Sequence, residues 1–151
     1  WATTELGFVE SNVVSLSNIE AIPVDGPCTY TDGYLFMYGN SETVSSVSPW
    51  NSGPLYEKYI TANCSYTTAE FKFYGTPNTG IYTTTQSQSP APGEVRVSLT
   101  NTFSVFIQSS LNPGQSVYVN RTSPTTWTIE VCSATWTYNS FDYSFSTYFS
   151  F

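Results

Sequence analysis

The stretch 125–151, TTWTIEVCSATWTYNSFDYSFSTYFSF, constrains the fold more than any other part of this chain. Every second residue from 127 is apolar: Trp127, Ile129, Val131. From 141 the row is Phe141, Tyr143, Phe145, then Phe149 and Phe151, with Asp142, Ser144, Ser146 and Ser150 in the other phase. Successive strand side chains point to opposite faces, so this period of two describes strands with an aromatic face and a polar face. A frayed aromatic terminus would be an aggregation hazard, so the last strand is expected in the middle of a sheet. Glu130 and Asp142 fall out of phase with the aromatic rows and are expected to face solvent.

The remaining strands follow from composition and turn signals. Only 10% of the residues are charged and 17% are aromatic, with Tyr, Ser and Thr where a helical protein carries Lys, Glu and Ala. Such residues suit pleated, half-buried surfaces, and 151 residues suit one domain, 1–151. Asp32-Gly33 between Cys28-Thr-Tyr-Thr and Tyr34–Tyr38 is the clearest hairpin signal, because Asp-Gly supplies the positive φ angles of a two-residue turn. Tyr34–Tyr38 is apolar on both faces. Pro54 to Ile60 could form one short helical turn with Pro at its start. Further on, Phe71 and Phe73, then Val95, Val97 and Leu99, then Phe103, Val105 and Ile107, and finally Val117 and Val119 alternate between turns at Gly75–Gly80, Gln86–Gly93 and Asn112–Gln115. Ile81–Thr85 is expected to pair back on the preceding strand. Short strands between regular turns predict an all-β protein: an antiparallel β-sandwich with Greek-key type connections and almost no helix.

Charge and motif content exclude most chemistry. A net charge of −7, with only Lys58, Lys72, Arg96 and Arg121 as cations, argues against nucleic acid and against anionic membranes. No apolar run is long enough for a membrane-spanning helix. There is no histidine, so Ser-His-Asp and Cys-His catalysis are excluded, along with His-ligated metals. Phosphate-cradling and dinucleotide-binding glycine motifs are also missing, and no cofactor is expected. Cys28, Cys64 and Cys132 lack CxxC spacing; they allow at most one disulfide, and buried thiols acting as small hydrophobes are the expectation. The chain is not expected to be an enzyme. A surface of Tyr, Thr, Asn and Trp with little charge suits a binding module instead.

Two motifs carry a resemblance. Trp1-Ala2-Thr3-Thr4 resembles the Leu-Trp-Thr-Thr signature at the shaft–head junction of adenovirus fibres, without the leading Leu, and Tyr143-Ser-Phe-Ser-Thr-Tyr-Phe-Ser-Phe151 is similar to the last strand of their heads. The length suits the small heads of avian siadenoviruses. The resemblance implies a homotrimeric β-sandwich at the virion surface, on the fibre tip, made in the host nucleus, that attaches the particle to a host-cell receptor, either a sialylated glycan or a protein. A secreted lectin-like domain or adhesin of cellular origin, and a structural coat domain, are the alternatives.

Candidate contacts follow. The hairpin Cys28–Tyr38 is expected against a neighbouring protomer through Tyr34, Phe36 and Tyr38, because the chain has more aromatic residues than one small core hides. A sialic-acid site needs donors for a carboxylate and an aromatic wall, and loops between rigid strands are where binding residues concentrate. Asn120, Arg121 and Thr122 lie between two strands and are the expected ligand contacts, with Trp50 or Tyr118 as the wall. Lys72 and Arg96 are expected to be solvated strand positions.

Overall fold

The computed structural model describes residues 24–48, 50–53, 56–103 and 107–151. The shaft-junction motif 1–4 therefore lies outside the described residues. Twelve strands follow one another: β1 Tyr34–Met37, β2 Asn40–Thr43, β3 Ser46–Val47, β4 Asn51–Ser52, β5 Glu57–Asn63, β6 Thr67–Tyr74, β7 Gly80–Thr84, β8 Glu94–Asn101, β9 Ile107–Ser110, β10 Ser116–Ser123, β11 Thr126–Tyr138 and β12 Phe141–Ser150. No helix occurs among the described residues.

The alternation seen in the sequence becomes one interior. Ile60 and Ala62 of β5, Ala69, Phe71 and Phe73 of β6, and Val95, Val97 and Leu99 of β8 are fully buried. From the other half come Val117 and Val119 of β10, Ile129 and Val131 of β11, and Phe145 and Phe149 of β12. The Phe71 and Phe149 rings meet across the interior with centroids 5.7 Å apart. A bulge between Val131 and Ala134, with Ser133 at φ 48°, resets the phase of β11 so that Ala134 and Trp136 also turn inward. In a regular strand of the same sequence, with no bulge, the second half of β11 would present Thr135 and Thr137 to the core.

The strands form one hydrogen-bonded sheet in the order β2-β1-β12-β11-β10-β7-β8-β6-β5-β3, with β4 added to β5 and β9 to β8. Spatial neighbours are distant in sequence, as Greek-key links require: β1 lies beside β12 and β7 beside β10. The sheet curls on itself until both ends come from one stretch, Asn40–Val47. Its first part pairs with β1 and its last with β5, and Val44 and Ser45 bond to Gly33 and Asn63 on the way across. The result is a sandwich-like all-β fold closed by its own bent strand, with the C-terminal β12 centrally placed between β1 and β11.

Several local expectations change. The sheet is mixed, because β7 and β8 run parallel through Thr83–Glu94 and Thr84–Val95. Ile81 pairs with Tyr118 of β10, so β7 does not fold back on β6. The hairpin turn falls at Tyr38-Gly39, both at positive φ (55° and 77°), and joins β1 to β2. Cys28–Thr31 forms no strand, and the Asp32 carboxylate accepts the Ser150 N–H at 2.7 Å. The expected helical turn is absent from its described part: Tyr56 sits at φ 68° and Glu57–Asn63 is strand, while residues 54 and 55 lie outside the described residues.

The largest correction concerns Glu130. It points to the outer face as its phase requires, yet it is 5% exposed, because residues 24–28 lie over it. Its carboxylate accepts the Gly26 N–H at 2.9 Å and the Cys28 N–H at 3.1 Å. Cys28 is joined to Cys132 by a disulfide, which replaces the expected buried thiols, and Asn120 accepts the Val24 N–H and donates to its carbonyl. Three side chains of β10 and β11 thus hold an extended strap across their own outer face. A Cβ on Gly26 would lie 2.4 Å from the Glu130 carboxyl carbon, so only glycine lets the strap approach this closely. Cys64 remains a half-buried thiol whose pKa is pushed up to about 11, first by burial and then by the Glu42 charge.

Candidate functional site, an aromatic groove beside the Pro124-Thr125 turn

At the β10–β11 turn the register sets Arg121 directly opposite Trp127. The guanidinium lies over the indole, 5.1 Å from its centroid, and donates to the carbonyls of Ser123 at 3.3 Å and Pro124 at 3.2 Å. A cation over an indole face is attracted by the ring quadrupole, here by roughly 0.5–1 kcal/mol because Arg121 is exposed. The arrangement fixes the side chain without using all of its five donors.

Trp127 is anchored from behind by its indole N–H, which donates to the Pro77 carbonyl at 3.1 Å. Phe151 stacks on it at 5.9 Å, and Trp50 meets it edge-on at 5.6 Å. Trp50 also touches Phe73 and Phe151 edge-on, so its ring is clamped on three sides. Its indole N–H is buried and has no hydrogen-bond partner among the described residues. These rings, with Val47, Ser48, Pro124 and Thr125, line a groove of about 480 Å3. Val47 and Phe151 also border a second hollow of about 490 Å3, whose walls are Asp32, Gly33 and the closing stretch Thr43–Val47.

Of the residues singled out in the sequence, Trp50 and Arg121 converge on Trp127. Asn120, Arg121 and Thr122, expected in a loop, are instead strand residues of β10, and the turn is Pro124-Thr125; Thr122 is exposed, its hydroxyl 3.5 Å from the Thr126 carbonyl of the facing β11. Asn120 is committed to the strap through Val24 and Asp25. Tyr118 stands elsewhere, in a cross-strand row on the outer face with Glu130, Tyr148 and Tyr34. Tyr34 and Phe36 are half-buried in β1; Tyr34 stacks on Tyr30 at 4.5 Å. Tyr38, 37% exposed, packs on Tyr143 at 5.0 Å and on Trp136 at 6.4 Å. Burial, then the Tyr38 phenol, push the Tyr143 pKa up.

Sequence reasoning passed over Trp127 and Phe151 because their alternation marked them as core. The Pro124-Thr125 turn pairs Ser123 with Thr126 and by itself would set Thr122 against Trp127; a register shift between Arg121 and Ser123 brings Arg121 there instead, and no sequence signal marks it. Chemically, the groove offers aromatic and apolar walls beside the turn, with Arg121 stacked on one of its rings, Trp127. Such a surface takes the C–H face of a sugar or an apolar side chain flanked by an anion. Comparison with known families, with characterised proteins and with solved structures found no match to this chain.

Proposed function

We propose that this chain is the receptor-binding head of a viral fibre, acting as a homotrimer that attaches the particle to a host-cell glycan or protein through the groove of Trp50, Trp127 and Phe151. The observation that carries the reading is the exposed Arg121 guanidinium stacked on Trp127, next to the groove that Trp50, Trp127 and Phe151 line. The Trp-x-Thr-Thr opening and the aromatic final strand support the viral assignment, and the rings of Tyr34, Phe36 and Tyr38 on β1 and its turn supply a surface for trimer contact. One such groove on one sugar would bind at around millimolar, roughly −4 kcal/mol. Three copies per trimer raise this by a factor of about 100 to 10,000 through avidity.

The test is attachment of the purified protein to sialylated and receptor-bearing surfaces, with Trp50→Ala and Arg121→Ala variants whose oligomeric state is verified by light scattering. Loss of attachment with the trimer intact is expected; unchanged attachment in both variants overturns the site. A monomer at micromolar concentration overturns the trimer. The Cys28–Cys132 disulfide favours a second reading, a secreted lectin-like or adhesin domain, because disulfides persist in oxidising compartments. A monomer that still binds glycans would select it.

A further inference from the structure

Two sulfurs and a carboxylate converge where the strap crosses β11. The Sγ atoms of Cys28 and Cys132 and a carboxylate oxygen of Glu130 all lie within 4.8 Å of one another, and Cys132 Sγ is 3.1 Å from Glu130 Oε1. Glu130 and Cys132 stand two residues apart in β11, and the strap brings Cys28 to them, its Cα 5.8 Å from that of Cys132. Among the described residues, no other three Cys, Asp or Glu side chains gather this closely.

Glu130 is the unusual member. It is buried, and no Lys or Arg stands within ion-pair distance of it among the described residues. Burying a carboxylate without a cation is costly, and the Gly26 and Cys28 N–H groups offset that cost through hydrogen bonds alone. The same two bonds hold the carboxylate beside the sulfurs, much as the neighbours of a metal ligand fix its orientation. Cys28 and Cys132, by contrast, are both partly exposed, so the cluster borders solvent.

We propose that, when the Cys28–Cys132 disulfide is reduced, the two thiolates and the Glu130 carboxylate bind a zinc ion that keeps the strap fastened to β11. Reduction breaks the S–S bond: a thiol reductant supplies two electrons and two protons and leaves as its own disulfide. The metal then displaces those two protons to solvent and takes a lone pair from each sulfur and from one carboxylate oxygen. Thiolate donors favour zinc over magnesium or calcium, and a tetrahedral zinc holds its sulfur ligands about 3.8 Å apart. Sulfurs on Cα atoms 5.8 Å apart reach that separation by side-chain rotation. Three protein donors leave the fourth position to water. The disulfide would hold the strap in an oxidising compartment and the metal in a reducing one, so the inference depends on neither the aromatic groove nor the attachment role.

Calorimetric titration with zinc tests it, on the metal-stripped intact protein before and after reduction by a phosphine, which adds no competing thiol. Cys64→Ser removes the third thiol, which lies outside the site, and serves as the parent. The reduced parent is expected to bind one zinc per chain at micromolar concentration and the disulfide form none. Cobalt in place of zinc should give sulfur-to-metal charge-transfer absorption in the near ultraviolet. Zinc should also raise the Tm of the reduced form and slow exchange of the Gly26 and Cys28 amides, leaving the disulfide form unchanged. Cys132→Ser should abolish uptake, and Glu130→Gln should weaken it at least about tenfold. No uptake by the reduced parent overturns the proposal, as does equal uptake by the disulfide form or by Cys132→Ser. If Glu130→Gln binds as the parent does, the carboxylate is no ligand and the three-donor site is overturned. The first reading needs no substitution in the site, so misfolding of a variant does not decide it.

Discussion

Replacing Glu130 by Gln tests the strap with little change in shape. The side chain keeps its volume and leaves no cavity, but one of two acceptor oxygens becomes an NH2 group. Both oxygens are in use, one on Gly26 N–H at 2.9 Å and one on Cys28 N–H at 3.1 Å, so either orientation of the amide sets donor against donor. A hydrogen bond to a charged group is worth about 1.5–3 kcal/mol, and the strap cannot easily swing away to water, because the disulfide and Asn120 hold it on either side. The expected loss is therefore about 2 kcal/mol, which lowers Tm by about 4–8 °C for a chain of this size. Scanning calorimetry under non-reducing conditions measures the loss, and amide exchange at Gly26 and Cys28 localises it. A Tm within a degree of the parent, with both amides exchanging at the parent rate, would show that the carboxylate does not hold the strap.

Phe149→Ala removes a ring that is 1% exposed and faces Phe71 across the interior, so a loss of about 3–5 kcal/mol by denaturant unfolding is expected. Replacing Cys28 and Cys132 together by Ser opens a loop of 104 residues, for an expected loss of up to about 4.7 kcal/mol on the chain-entropy account, read against the oxidised parent; reductant should lower the parent toward the variant and leave the variant unchanged. The Ser89 hydroxyl above all, then Lys72, hold the Glu57 carboxyl below its ordinary pKa against a burial that acts the other way. A depressed folded-state pKa contributes stability above the unfolded value and loses it as pH falls through the folded one, so Tm should drop between about pH 5 and pH 3. Glu57→Gln should flatten that acid limb; an unchanged limb would refute the assignment.

The fold was legible wherever a side chain answers only to the strand pleat. Val95, Val97, Leu99, Phe71 and Phe73 turn inward as their alternation requires. It was illegible where a distant segment decides the environment. Glu130 has an outward phase, yet a strap from about a hundred residues earlier buries it, and nothing local signals this. The hairpin was displaced because Gly33 takes positive φ (82°) in a turn that no strand precedes, whereas Tyr38-Gly39 joins β1 to β2, and Asp32 holds Ser150. At the candidate site, Arg121 and Trp50 could be chosen by residue type. Their common partner Trp127 emerges only from the register of β10 on β11.

The central place of β12 governs how the chain reaches its native state. Thr147 bonds to Tyr34 across 113 residues of sequence, and β12 fills the slot between β1 and β11. On a ribosome, β1 emerges long before its partner, and until residues 141–150 are synthesised one edge of β1 stays open and the interior lacks Phe145 and Phe149. Pairings this distant slow folding to the millisecond-to-second range typical of β-sandwiches. Nascent chains would therefore complete the sheet in one late step, and a chain truncated before β12 should be a target for chaperones rather than a partly folded domain.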